Sequence, residues 1–337
     1  MHEDDLFTSF ALEAISGAAA AQAPLFLYFA PHAAHQPLEV PDAQLARFDF
    51  VCANDTSKQC QWRKQYAALV NLVDGHVGRI VDALKAAGMW ENSLVYVGAD
   101  NGGPIYGGAF TCQTCDGDAG ANNFPLRGGK HSNFEGGVRV NALVSGGLVP
   151  AATRGTVRDG LVAIEDVFTT FVTLAGLDPA DKRGAAAGLP PIDGLDAWPY
   201  LSGANATSPR SEVVLGSGLG GAADGATAVQ GVIRVDGFKV LVGSLDNAVW
   251  QGAFYPNAST SWRNTPVNCS GGCLYNVFAD PSELDDLAAS QPAVLAEMLA
   301  RVADLQAGVY SPMRGPPSEL ACAASERCGG FVCPFAP

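Results

Sequence analysis

Charge is scarce in this chain, and positive charge is scarcest. Only 16% of the 337 residues are charged, and 20 lysines and arginines face 34 aspartates and glutamates, for a net charge of −14. With no basic face to offer a phosphate backbone, the chain is excluded as a natural nucleic-acid binder. No apolar run has the length of a membrane span. The opening Met1-His-Glu-Asp-Asp lacks both the basic start and the apolar centre of a secretory leader. Internal repeats are absent too. What is present, with 48% apolar residues, is a well-buried globular chain long enough for one large domain or a large and a small one.

Nine cysteines exceed ordinary cytosolic usage, and Cys269/Cys273 and Cys322/Cys328/Cys333 read as disulfide staples. Cys112 and Cys115 have redox or zinc spacing but no second pair at finger distance, so a local disulfide is expected there. Sequons at Asn54, Asn205, Asn257 and Asn268 are compatible with passage through a secretory route.

Three segments carry chemistry. Ser93-Leu-Val-Tyr-Val-Gly98 reads as a buried strand, with Asp100-Asn101 where it emerges and Gly102-Gly103 permitting a tight turn. A carboxylate beside a carboxamide at a strand end suits a hard cation such as Ca²⁺. Alone, Asp-Asn-Gly-Gly is equally a polar turn. The apolar run Pro24-Leu-Phe-Leu-Tyr-Phe-Ala30 reads as a second strand, followed by a loop presenting His35. Phe124-Pro-Leu-Arg-Gly-Gly-Lys-His-Ser-Asn-Phe-Glu-Gly-Gly137 is a glycine-rich turn presenting Lys130 ahead of a strand over 138–144. A cation, an ammonium and an imidazole together would grip a tetrahedral oxyanion ester and protonate its leaving group. Taken singly, His35 is also an ordinary loop histidine and Lys130 a solvated lysine. Arg127 is expected to brace its loop through Glu135 or Asp100, and His32, His76 and His131 to be structural or surface residues.

The chain resembles a type I sulfatase, most like the arylsulfatase B group. The resemblance rests on Pro24-Leu-Phe-Leu-Tyr with His35-Gln-Pro-Leu, Gly88-Met-Trp-Glu-Asn-Ser with Asp100-Asn-Gly-Gly, and Pro125-Leu-Arg-Gly with Lys130 and Phe134-Glu-Gly-Gly-Val-Arg139. It continues through Asp193-Gly-Leu-Asp-Ala-Trp-Pro-Tyr-Leu201 and, more weakly, Leu274-Tyr-Asn-Val-Phe-Ala-Asp-Pro-Ser-Glu-Leu-Asp-Asp-Leu287. It implies sulfate-ester hydrolysis, with His35 and Lys130 catalytic, Asp100 and Asn101 binding calcium, and a sulfated small molecule or glycan as substrate. It also implies a secreted or lysosome- or vacuole-like location.

The same resemblance implies a formylglycine nucleophile made from a Cys-x-Pro-x-Arg-like motif, and none of the nine cysteines stands in that context. An upstream Asp-Asp calcium pair is missing as well, since Asp4-Asp5 precede the first strand and read, like Asp285-Asp286, as solvated charge. The chain is therefore expected to lack the N-terminal part of such a fold and to be inactive alone. A non-catalytic protein that binds sulfated glycans is the alternative. A two-zinc phosphoesterase of the same superfamily would want a histidine where Asn101 stands.

The implied fold class is α/β: an alkaline-phosphatase-like doubly wound mixed sheet with its N-terminal part missing, plus a smaller C-terminal antiparallel-sheet domain. The expected division is 1–205 and 206–337. Within it, 63–87 reads as a helix with Tyr66, Leu69, Val70, Val73, Val77, Ile80, Val81 and Leu84 inward, stopped by Gly88. Strand 24–30, this helix and strand 93–99 suggest a parallel strand–helix–strand unit. The 104–123 loop is a candidate substrate wall. Residues 159–175 read as a helix with Ile164, Val167, Phe168, Phe171, Val172 and Leu174 inward, and 182–225 as linker. A hairpin is expected to turn at Asp236-Gly237, with a closing helix near 292–306.

Overall fold

The computed structural model describes residues 2–105, 120–216, 229–246, 248–250, 266–309 and 319–331. The Cys112/Cys115 pairing, Cys333, the sequon at Asn257 and most of the 104–123 wall lie outside them. In chain order the elements are α1 (Glu3–Ala21), α2 (Asp42–Ala46), α3 (Lys58–Ala86), β1 (Val95–Gly98), α4 (Glu135–Val138), β2 (Ala142–Ser145) and α5 (Ile164–Leu174). Then follow α6 (Lys182–Ala186), α7 (Trp198–Leu201), β3 (Glu212–Gly216), β4 (Val229–Arg234), β5 (Phe238–Leu245), β6 (Val267–Asn276), α8 (Pro292–Ala307) and α9 (Glu319–Arg327). Among the described residues no helix is long and apolar enough to cross a membrane.

Helix α1 was not legible from periodicity, and its start is set by a capping box. The His2 side chain accepts from the Asp4 N–H, and the Asp5 carboxylate accepts from the His2 N–H. Helix α3 begins at Ser57, whose hydroxyl accepts from the Cys60 N–H, and ends as expected before Gly88 at φ +68°. The two helices share a core of Ala11, Ile15, Ile80 and Leu84. Most of the expected α3 face is at least half-buried, but Val70 is exposed and His76 is buried instead.

Residues 24–30 are not a strand: they carry no ladder partner among the described residues, so backbone pairing never fixes them. The alternation survives in weakened form, with Leu25 and Phe29 against the α1–α3 core and Phe26 and Tyr28 facing solvent. The parallel unit is consequently not formed here; β1 pairs instead with β2, antiparallel, from Val95↔Ser145 to Gly98↔Ala142. The stretch read as linker also holds more order than expected, with α6, α7 and β3 inside it.

The C-terminal sheet has order β3-β4-β5-β6, all antiparallel. Its β4–β5 hairpin turns at Asp236-Gly237 as read from sequence. Side chains alternate between two buried faces. Val232, Val240 and Leu274 pack under α8 with Met298 and Val302. Their neighbours Ile233, Leu241 and Tyr275 face the opposite way, toward Phe134 of the first part of the chain. Cys52–Cys60 and Cys269–Cys273 are disulfides; the second was expected and the first was not. Cys328 is also disulfide-bonded, whereas Cys322, expected to be a staple, is a free and exposed thiol.

Helix α5 is turned away from its expected orientation: Val167, Phe171 and Val172 stay half-buried, but the rest of the expected face does not. Ile164 and Phe168 are 71% and 58% exposed, while Asp166, Thr169 and Thr170 are buried. The reason is polar anchoring. Asp166 accepts from the N–H groups of Ala163 and Leu195 and pairs with the Arg210 guanidinium through both oxygens, and Thr170 accepts from the Ala197 N–H.

Candidate functional site

Two loops are stitched together by backbone hydrogen bonds. Gly102 N–H donates to Gly137 O at 2.9 Å and Lys130 N–H to Gly103 O at 3.3 Å. The Asn123 side chain completes the seam: its oxygen accepts from Gly103 N–H and its nitrogen donates to the carbonyls of Gly103 and Gly128. Close approach makes glycine necessary here, because a Cβ on Gly102 would overlap the carbonyl oxygen of Gly136. The Asp100-Asn101 turn is thereby fixed beside the Lys130 loop.

His35 reaches the same place from the third segment. Its Nε2 lies 2.9 Å from Lys130 Nζ, and its Nδ1 lies 2.8 Å from the carbonyl oxygen of Gln36. A carbonyl can only accept, so Nδ1 carries the proton and Nε2 accepts from the Lys130 ammonium. Imidazole and ammonium, 95 residues apart in sequence, thus form one contact on an accessible surface.

The loop holding His35 is set by a residue that sequence reasoning misassigned. Asp4 is fully buried rather than solvated, and its carboxylate accepts from the N–H groups of His32 at 3.0 Å and Ala33 at 3.1 Å. The turn that would leave these two donors unpaired is satisfied from the first residues of α1. Asp285 and Asp286 do lie exposed, with Asp286 accepting from the Leu274 and Ala288 N–H groups.

Arg127 is a brace, as expected, but its partners are neither Glu135 nor Asp100. It is buried, stacked 4.1 Å from the Phe134 ring centroid and 4.0 Å from that of Trp250. Its guanidinium donates to Ala248 O, Tyr275 Oη and Glu283 O. Next to it sits a group that no sequence signal singled out. Lys239, fully buried, lies 2.9 Å from Glu135 Oε1 and 2.8 Å from Glu283 Oε1, while Glu283 Oε2 accepts from the Glu135 N–H at 2.7 Å. Burial pushes the Glu283 carboxyl up from its ordinary value, and the Lys239 ammonium opposes that rise. Burial likewise raises the Tyr275 phenol.

Asp100 is exposed at the end of β1, and one of its oxygens accepts from the Asn101 N–H. Asn101 spends its amide nitrogen on Gly102 O, which leaves its oxygen as the ligating atom. These are hard donors of the right kind, but they are two where Ca²⁺ takes about six to eight. Among the described residues no group of three or more His, Cys, Asp or Glu side chains is placed to hold a metal. The pair is thus a fragment of a donor set rather than a site. A groove of about 780 Å³ runs from Asn101 past Asn123 and Arg139 to Phe278 of the C-terminal part.

The Sulfatase family model matches residues 1–177. Arylsulfatase J of Mus musculus is 30% identical over 313 residues, covering 88% of this chain and 47% of that protein. The N-acetylgalactosamine-6-sulfatase of Canis lupus familiaris is 34% identical over 198 residues, 58% of this chain and 32% of its own length. Among solved structures, Ps i-CgsB superposes with a TM-score of 0.68 at 26% identity over 92% of this chain and 56% of that one, and it is also known in complex with k-i-k-neocarrahexaose. The chain therefore spans about half the length, or less, of the relatives it matches. With the alkaline-phosphatase-like α/β fold and the matched segments in hand, the chain belongs to the sulfatase family.

Proposed function

We propose that this chain carries the cationic and imidazole side of a sulfate-ester-hydrolysing site whose substrate is a sulfated glycan. The observation that supports this reading is the contact between Lys130 Nζ and His35 Nε2, held beside the Asp100-Asn101 turn in a sulfatase-family fold. The ammonium holds a non-bridging sulfate oxygen and offsets the negative charge of the ester, while new charge develops on the leaving oxygen. With Nδ1–H committed to Gln36 O, His35 handles protons at Nε2 alone. When a sulfate oxygen takes the Lys130 ammonium, Nε2 is released from that contact, and a proton it then takes up from water passes to the leaving alcohol oxygen. Asp100 and Asn101 are this chain's donors toward calcium, which would polarise the ester when bound; no step here is routed through it. The oligosaccharide complex of Ps i-CgsB favours a glycan over a small aryl ester. The disulfides suit an oxidising, secreted or lysosome-like compartment. We place the division between the two parts near residue 205.

No cysteine stands in the nucleophile context, so this chain alone is expected to bind sulfate esters without turning them over. The test is a titration with inorganic sulfate and with a sulfated oligosaccharide, beside an assay of sulfate release. Lys130→Ala should weaken binding by about tenfold or more, the size of one lost charge-assisted contact. Equal affinity in the variant would sink the reading, and sulfate release by the unaltered chain would overturn the prediction of binding without turnover.

A further inference from the structure

We infer that the C-terminal sheet is part of the site machinery, acting through Arg127, Glu135, Lys239 and Glu283 as positioning residues for Lys130. The inference rests on the reading of Lys130 and His35 as the sulfate-holding pair.

Strand alternation puts Lys239 in phase with Leu241, on the face of β5 that meets the first part of the chain rather than α8. A lysine there is fully desolvated, and it is matched by two carboxylates from opposite directions. Glu135 comes from the Lys130 loop and Glu283 from the turn after β6. Two cations and two anions cancel, but such a group is a poor source of stability, since apolar residues of similar volume do as well or better. What it supplies is geometry. Glu283 holds both ends of the Lys130 loop at once: its carboxylate accepts from the Glu135 N–H, and its backbone carbonyl accepts from the Arg127 guanidinium. Gly128 N–H adds a bond to Val249 O at 2.8 Å, and Gly136 N–H closes the loop on Arg127 O at 2.7 Å. Lys130 thus lies on a short arch whose two feet stand on Lys239 and Tyr275 of the sheet and on the segments that follow β5 and β6. Its ammonium meets His35 only while both feet are planted.

Lys239→Met removes the central charge at similar volume. Val302→Ala, under α8 on the other face of the sheet, is the control for a purely structural loss. Two readouts separate position from stability, each taken well below the melting temperature. One is the ¹⁵N spectrum of the His35 ring, which reports Nδ1–H with Nε2 accepting; the other is inorganic sulfate affinity. Lys239→Met should alter the His35 ring signals and weaken sulfate binding about tenfold, whereas Val302→Ala should change neither. Lys239→Arg, which keeps the charge, should recover part of the loss. If Lys239→Met does not fold, Tyr275→Phe, which removes only the hydroxyl accepting from Arg127, should weaken sulfate binding about threefold. A folded Lys239→Met with the wild-type His35 spectrum and affinity overturns the inference, as does an unaltered Tyr275→Phe. Should the unaltered chain bind no sulfate, the functional reading falls, while the His35 spectrum still decides whether the sheet positions the pair.

Discussion

The C-terminal sheet and helix α5 dispose of their apolar residues in opposite ways. The sheet buries both faces, one under α8 and one against Phe134. Alternation along β5 and over residues 273–275 of β6 sets which side chain goes to which, with the ladder register shifting at Leu215/Gly216 against β4 and at Leu241/Gly243 against β6. Helix α5 has an equally clear apolar stripe, yet Ile164 and Phe168 face solvent and Asp166, Thr169 and Thr170 face inward. Phe26, itself 74% exposed, packs edge-on against Phe171, so the outward stripe continues onto residues 24–30. Periodicity identifies a helix and its stripe, but not the direction in which the stripe points. In α5 the direction is decided by Arg210 and the backbone of residues 195–197, which supply donors that only the polar side of the helix can use.

The strongest way to break this comparison is to remove the anchor. Asp166→Ala strips the buried carboxylate from Arg210, leaving the guanidinium only the more exposed Glu165 as an ion-pair partner among the described residues, and unpairs the Ala163 and Leu195 N–H groups, so it should cost about 3 kcal/mol. Urea denaturation measures the loss, and amide exchange should show α5 and residues 193–197 opening first. A loss below about 1 kcal/mol would mean that Glu165 and solvent satisfy Arg210 and that something else orients the helix.

A pair of apolar truncations sharpens the contrast. Leu274→Ala, fully buried in the sheet, should cost about 2–5 kcal/mol by lost transfer energy and cavity formation. Phe168→Ala on the outward stripe should change stability by no more than about 0.5 kcal/mol. Comparable losses at the two positions would show that the α5 stripe is covered in solution.

How much of this was legible depended on the range of the interaction. Helix α3, strand β1, the β4–β5 hairpin and α8 follow from local periodicity and turn residues. The family motifs single out His35, Asp100, Asn101 and Lys130, and what the structure adds is that their three segments meet. The burial of Asp4 is invisible locally because the donors it accepts from, the His32 and Ala33 N–H groups, lie 28 and 29 residues away. Lys239 looked like one polar residue of a hairpin, although its phase with Leu241 was a usable signal: a lysine at a core-facing position demands carboxylates. Nothing local pointed to Glu135 and Glu283 as those partners, and the Cys52–Cys60 bridge was equally hidden. Residues 24–30 failed as a strand for a complementary reason: β-propensity cannot supply a ladder partner.

A last contrast, between the α1–α3 interface and the C-terminal sheet, is drawn by pH. His76 on α3 is 2% exposed, and neither ring nitrogen has a hydrogen-bond partner among the described residues. Burial pushes its imidazolium form out of favour, below the usual histidine value, with Arg79 and His2 adding to the fall and Asp5 and Asp4 opposing it. The unfolded chain therefore takes up a proton that the folded chain refuses. The stability held above the unfolded value near pH 6.5 is lost as pH falls through the lower folded value. The slope is at most about 1.4 kcal/mol per pH unit for one proton. Thermal melts from pH 7.5 to pH 5 should show wild type declining more steeply than His76→Leu, which packs apolar atoms where the ring nitrogens had none to bond. Parallel curves for the two proteins would show that the ring is hydrated, and that the α1–α3 interface is no more acid-sensitive than the C-terminal sheet.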